Sequence, residues 1–172
     1  MSKTGELTLL AEALEAWKET REGVLAEFKN IPASQMVFIP TKGARSVASI
    51  VRHIIETSEM WSSELTNPEG DFTRKPFSGF IKKYSSRNLQ TSIKQELIRA
   101  LKDSHRDGVK KIKYTGEIGM LQRIRRFDGR YGTRLAWMFH GVSHEEYHRA
   151  QLALYARLLG RTPALTRLIE GA

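Results

Sequence analysis

The chain has 172 residues, 40% apolar and 27% charged, a composition that suits one globular domain spanning residues 1–172. It contains no cysteine, which excludes disulfides, thiolate metal sites and a cysteine nucleophile, so any metal must be held by His, Asp, Glu or backbone groups. The formal charge of +9 favours an anionic partner, but charge without a reading motif does not identify a nucleic-acid binder, and a solvated basic surface is the simpler expectation.

The N-terminal "MSKTGELTLLAEALEAW" lacks the basic start, apolar middle and small-residue cleavage site of a signal peptide. No apolar run approaches the ~20 residues that span a bilayer. A cytoplasmic protein with no membrane partner is expected. Residues 6–29 place Leu7, Leu10, Leu14, Trp17, Val24, Leu25 and Phe28 at three- and four-residue spacing, which predicts an amphipathic helix. Pro32, Pro40 and Gly43 then break the pattern. Ser46 is placed to cap a second helix over 47–65, with a stripe through Val47, Ile50, Ile54, Met60, Trp61 and Leu65.

"TNPEGDFTRKPFSGF" reads as a loop, and a third helix is predicted over about 88–112 through Leu89, Ile93, Leu97, Leu101 and Val109. The segment "YTGEIGMLQRIRRFDGRYGT" is basic and glycine-rich; its Asp128-Gly129 pair is a turn signal that allows a short hairpin. The last helix runs from about Thr133 to Leu159, with Gly160 as its cap and Pro163 blocking continuation. Four such helices and no convincing sheet predict an all-α chain, a four-helix bundle whose helix order in space stays open.

The last helix carries His140, His144 and His148 one turn apart, in a stripe with Trp137, Gly141, Tyr147, Leu152, Tyr155 and Leu159 that is expected to face inward. Arg134, Glu145, Arg149 and Arg157 are expected on the opposite, outer side. A buried imidazole needs partners for both ring nitrogens, and a metal provides one directly. Two imidazoles one turn apart can chelate one ion, and His53, midway along the second helix, is the candidate third ligand. Three neutral histidines leave coordination positions open, as in catalytic sites. His140 is a ligand, a neighbour of the ligands or core; His105, in "KDSHRDG", is expected at the surface.

Residues 144–148 read "HEEYH", the letters of the zinc-protease motif H-E-x-x-H. The protease reading is disfavoured. No histidine follows in the spacing of the longer motif, and Glu145, the only candidate for a general base, lies on a different side of the helix from the histidines. Arg123, Arg125, Arg126, Arg130 and Arg134 precede this helix; a solvated surface is the simpler reading of this connector, and Arg126 is the candidate if it holds an anionic group of a cofactor or substrate.

"SVASIVRHIIETSEMWSSEL", followed far downstream by "HGVSHEEYHRAQLALYARLLG", resembles the DinB-like family of bacterial four-helix bundles. The matching positions are His53, then His144, Glu145, His148, Arg149 and Gln151, then Tyr155, Arg157, Leu159 and Gly160. Ala150 stands where the family usually has Gly, and Arg45-Ser46 where it often has Trp-Ser. The resemblance implies a divalent metal, zinc or nickel foremost, held by His53, His144 and His148, and a homodimer. It also implies a transferase using a low-molecular-weight thiol such as bacillithiol or mycothiol, or a hydrolase, acting on a small electrophilic substrate. The alternative is a metal-binding or stress-response module without turnover.

Overall fold

The computed structural model describes residues 7–85 and 89–171. Four long helices, α1 (Leu9–Asn30), α2 (Val47–Thr66), α4 (Lys94–Leu121) and α5 (Arg134–Leu158), form the bundle. Two short ones, α3 (Phe77–Tyr84) and α6 (Ala164–Glu170), lie outside it, and strands β1 (Arg123–Arg125) and β2 (Tyr131–Thr133) pair antiparallel ahead of α5. Around the bundle the order is α1, α5, α2, α4, so the α1–α2 and α4–α5 connections cross diagonals.

The helix starts follow from capping. Thr8, Ser46 and Thr133 accept from the backbone N–H three residues on, each satisfying a donor that the first turn would leave open. α4 begins later than expected and continues to Leu121; residue 88, expected as its first, lies outside the described residues. Gly116, at φ +70° where only glycine is unstrained, is non-helical, so α4 is two helical pieces joined at a kink in the glycine-rich stretch. The hairpin forms on Gly129, at φ +79°, with Asp128 accepting from the Arg130 N–H. The expected loop 66–80 contains the start of α3, and Phe72 N–H donates to Arg125 O, tying that loop to the hairpin.

Two apolar clusters fill the interior. One holds Val24, Phe28, Ile50, Ile54, Leu97, Leu101 and Leu152. The other holds Trp17, Met60, Trp61, Leu65, Phe72, Ile112, Met138 and Val142. Between them every long helix turns polar at one level: Arg21 on α1, Ser58 on α2, Ser104 on α4 and Glu145 with His148 on α5, all buried. Arg21 meets Glu145 with two parallel hydrogen bonds, Nε to Oε2 at 2.9 Å and Nη2 to Oε1 at 2.6 Å. Its remaining nitrogen donates to Leu101 O and Ser104 Oγ, and Trp17 Nε1 donates to Glu145 Oε1 at 2.9 Å. The pair is tolerated in the interior because its polar atoms are satisfied.

That pair corrects the expected outer face of α5. Glu145 is fully buried and Arg134 is 6% exposed, whereas Tyr147, expected inside, is 63% exposed. α5 packs on both α1 and α2, so it buries a face wider than one stripe. Arg134 donates to the carbonyls of Leu65, Asn67 and Pro68, closing the end of α2. His105, expected in solvent, is half-buried edge-on to Trp17 at 4.6 Å. Gly108 makes this possible: a Cβ there would collide with the Trp17 ring, so the indole reaches the α4 backbone.

Candidate metal centre

His53 projects from the middle of α2, and His144 and His148 project from successive turns of α5. The helices bring the three rings together with centroids 5.1 Å (His53–His144), 4.9 Å (His53–His148) and 4.5 Å (His144–His148) apart. One ring nitrogen from each lies within 4.8 Å of those of the other two. The Nε2 atoms of His144 and His148 are 3.2 Å apart. Two ligands of a tetrahedral zinc at 2.0–2.1 Å stand about 3.3 Å from each other, so this pair already has the spacing of a shared cation.

The donor set fits as well. His148 Nδ1 lies 2.8 Å from Gln151 Oε1, which fixes the tautomer with its proton on Nδ1 and leaves the Nε2 lone pair free. Burial lowers the pKa of His53 to about 3 and that of His144 to about 4, with the Arg45 and neighbouring imidazole charges adding to it. Burial likewise lowers His148, opposed by the Gln151 hydrogen bond. The three rings are thus neutral at physiological pH, the form that binds metal.

Beside His144 opens a cavity of about 280 Å³. Its walls are Thr57, Met60, Trp61, Phe77, Phe127, Trp137, His140 and Gly141. A Cβ on Gly141 would stand 2.7 Å from the Trp61 ring, so glycine lets the indole form this wall. Trp61 Nε1 is buried without a hydrogen-bond partner. Phe77 and Phe127 come from outside the bundle, and their rings pack 6.1 Å apart over the cavity. α3 is held there through Glu64, fully buried, which accepts from Asp71 N, Arg74 Nη2 and Tyr84 Oη.

Of the other candidates, His140 is exposed and stacked on Trp137 at 4.4 Å, facing the cavity and outside the three-nitrogen cluster. Arg126 lies over Trp137, 5.5 Å from its centroid, with Nε buried and unpartnered. Glu145 is turned towards α1, with both oxygens taken by Arg21 and Trp17, so it is not placed as a general base for this centre. Three contributors escaped sequence reasoning. Arg45, whose charge reaches all three histidines, stands at the Trp-Ser departure; Phe77 lay in an expected loop; Gln151 was in the motif with no role attached.

The class these features define is a four-helix bundle with diagonal connections, in which three histidines converge between two helices in a spacing that could hold a metal ion. Residues 1–170 match the model of the DinB family, and the chain belongs to that family. No curated protein matches the chain in sequence. Among solved structures, a DinB-like protein of Bacillus subtilis, YjoA, superposes with TM-score 0.67 at 18% identity, covering 88% of this chain and 93% of that one. YfiT of Bacillus subtilis, described as a probable metal-dependent hydrolase with an unusual four-helix bundle topology, gives 0.69 at 13% identity over 94% of each chain. A mycothiol-dependent maleylpyruvate isomerase gives 0.64 at 12% identity, covering 88% of this chain and 63% of that one. At these identities the likeness establishes the fold. No helix among the described residues is long and apolar enough to cross a membrane.

Proposed function

We propose that this protein is a metal-dependent enzyme, a thiol-dependent transferase or a hydrolase, with His53, His144 and His148 holding one divalent cation. The observation that carries the reading is the 3.2 Å approach of two imidazole nitrogens beside a third, next to a cavity. The chemistry such a cation supplies is Lewis acidity, which generates a nucleophile from water or a thiol near neutral pH. An all-imidazole donor set suits zinc or nickel.

The chain's own residues define the rest. Gln151 orients His148. The aromatic walls exclude water and accept the apolar body of a small electrophile. His140, exposed and stacked on Trp137, lines the same cavity. Arg45 adds positive charge at the histidines, which favours a substrate or thiol bearing a carboxylate, and Arg126, paired with Asp128 at 3.5 Å, lies over Trp137 of the cavity wall. The neighbours described as a probable metal-dependent hydrolase and a mycothiol-dependent maleylpyruvate isomerase support the hydrolase arm and the use of a thiol, respectively. A homodimer belongs to it: Tyr147, Leu154 and Leu158 leave one side of α5 apolar and exposed, a surface of the kind a second copy covers.

Metal analysis of the purified protein beside His148→Ala tests the centre: the parent should carry one equivalent and the variant far less, and equal contents would end the proposal. Turnover of an electrophile with and without added thiol then separates transferase, hydrolase and a module that binds metal without reacting.

A further inference from the structure

A second concave site lies on the other side of α1 from the histidines. It is a groove of about 750 Å³ bounded by α1, α4 and the C-terminal segment. Lys18 and Lys29 mark its ends on α1, about 16 Å apart along the helix axis. Lys102 enters from α4, and Arg161 and Arg167 from the C-terminal segment. Glu22 is the single carboxylate in the lining. Among the described residues no carboxylate forms an ion pair with Lys29, Lys102, Arg161 or Arg167.

The arginines are set in place. Arg161 Nε and Arg167 Nη1 both donate to Asn30 Oδ1, at 3.3 and 2.8 Å, and Asn30 in turn donates to Thr162 O. Glu27, buried, accepts from the N–H groups of Ala164 and Leu165 and so docks the segment that carries Arg167. Lys94 Nζ is pinned close by, on Lys29 O and Ile31 O. Its pKa is held below the ordinary value, by burial first and by the Arg161 charge second. Like charges ordered around a concavity repel one another, and an anion between them removes that cost.

We propose that this groove binds a small polyanion carrying two or more phosphate groups. Two arginine forks and two free ammonium groups match phosphate oxygens. Leu25, Ala26 and Ala164 provide an apolar floor for the ligand's body. The lining has no Phe, Tyr or Trp on which unpaired bases would stack, and its one aromatic ring, His105, is half-buried against Trp17, which sets the groove apart from single-strand nucleic-acid channels.

Calorimetric titration with inorganic tripolyphosphate tests it, using the full chain freed of metal. One ion should bind per chain, with an affinity that falls as salt rises. The Lys29→Glu/Lys102→Glu double variant alters two exposed, unpaired side chains and should weaken binding by about tenfold or more. Lys42→Glu/Lys82→Glu makes the same change in net charge outside the groove and should alter binding by less than about twofold. Three results would overturn the assignment: no saturable binding, equal weakening by both double variants, or loss of binding in His148→Ala, which would place the phosphate at the histidines. A single-stranded oligonucleotide that binds where tripolyphosphate does not would replace the small ligand with nucleic acid and sink the proposal in this form.

Discussion

Replacing Glu145 by Ala leaves the Arg21 guanidinium, 2% exposed, without its counter-charge and frees Trp17 Nε1. Removing one partner of a buried pair costs about 3–5 kcal/mol, because the surviving charge stays desolvated. In a chain of this size each kcal/mol moves the melting temperature by about 2–4 °C, so a fall of about 6–20 °C is expected. Replacing both partners, Arg21→Met with Glu145→Leu, removes the stranded charge and should recover most of the loss. Urea unfolding followed by tryptophan fluorescence measures all three variants, and metal content of the folded Glu145→Ala protein should stay near the parent's. A loss below about 1 kcal/mol, or a double variant no better than the single, would refute the account of Glu145 as a structural tie. A stable Glu145→Ala protein with intact metal and no turnover would return Glu145 to the chemistry.

Gln151→Leu removes the acceptor that fixes the His148 tautomer and should weaken metal affinity by about 10–100-fold with little change in fold, read by chelator competition. Gly141→Ala pushes a methyl into the Trp61 ring; it should cost about 1–3 kcal/mol and contract the cavity, and an unchanged unfolding midpoint would count against the close packing described. For pH, His53 sits at about 3, and His144 and His105 at about 4, against 6.5 for an ordinary histidine. The unfolded chain therefore takes up protons before the native one as pH falls. Metal-free protein keeps this contribution in full above pH 6.5 and loses it from there down to about 3; a urea midpoint that rises as pH falls through that window would contradict the burial of these rings.

Much of the bundle was legible because apolar spacing records which side of a helix is covered. The stripe Val47, Ile50, Ile54, Met60, Trp61, Leu65 is buried throughout. The histidine cluster was legible because two imidazoles one turn apart on one helix point the same way, whatever the rest of the fold. What escaped depends on partners distant in sequence. Glu145 and Arg134 look like surface residues until Arg21 and the end of α2 are seen to receive them. α3 spans eight residues, too few for its period to stand out between Pro76 and the next polar stretch, and it is fixed by Glu64 from another helix. His105 read as solvent-facing because nothing local announces that Trp17 crosses over Gly108.

Neighbouring positions on a single turn of α5 answer to different constraints. Glu145 looks towards α1 and secures the architecture, while His144 and His148 look towards His53 of α2 and His144 meets the cavity. Substitutions along the cavity wall can accumulate without touching the tie behind it. A lineage built on this helix is free to change what it acts on while keeping what holds it up, and that division of labour would let one scaffold acquire unrelated reactions.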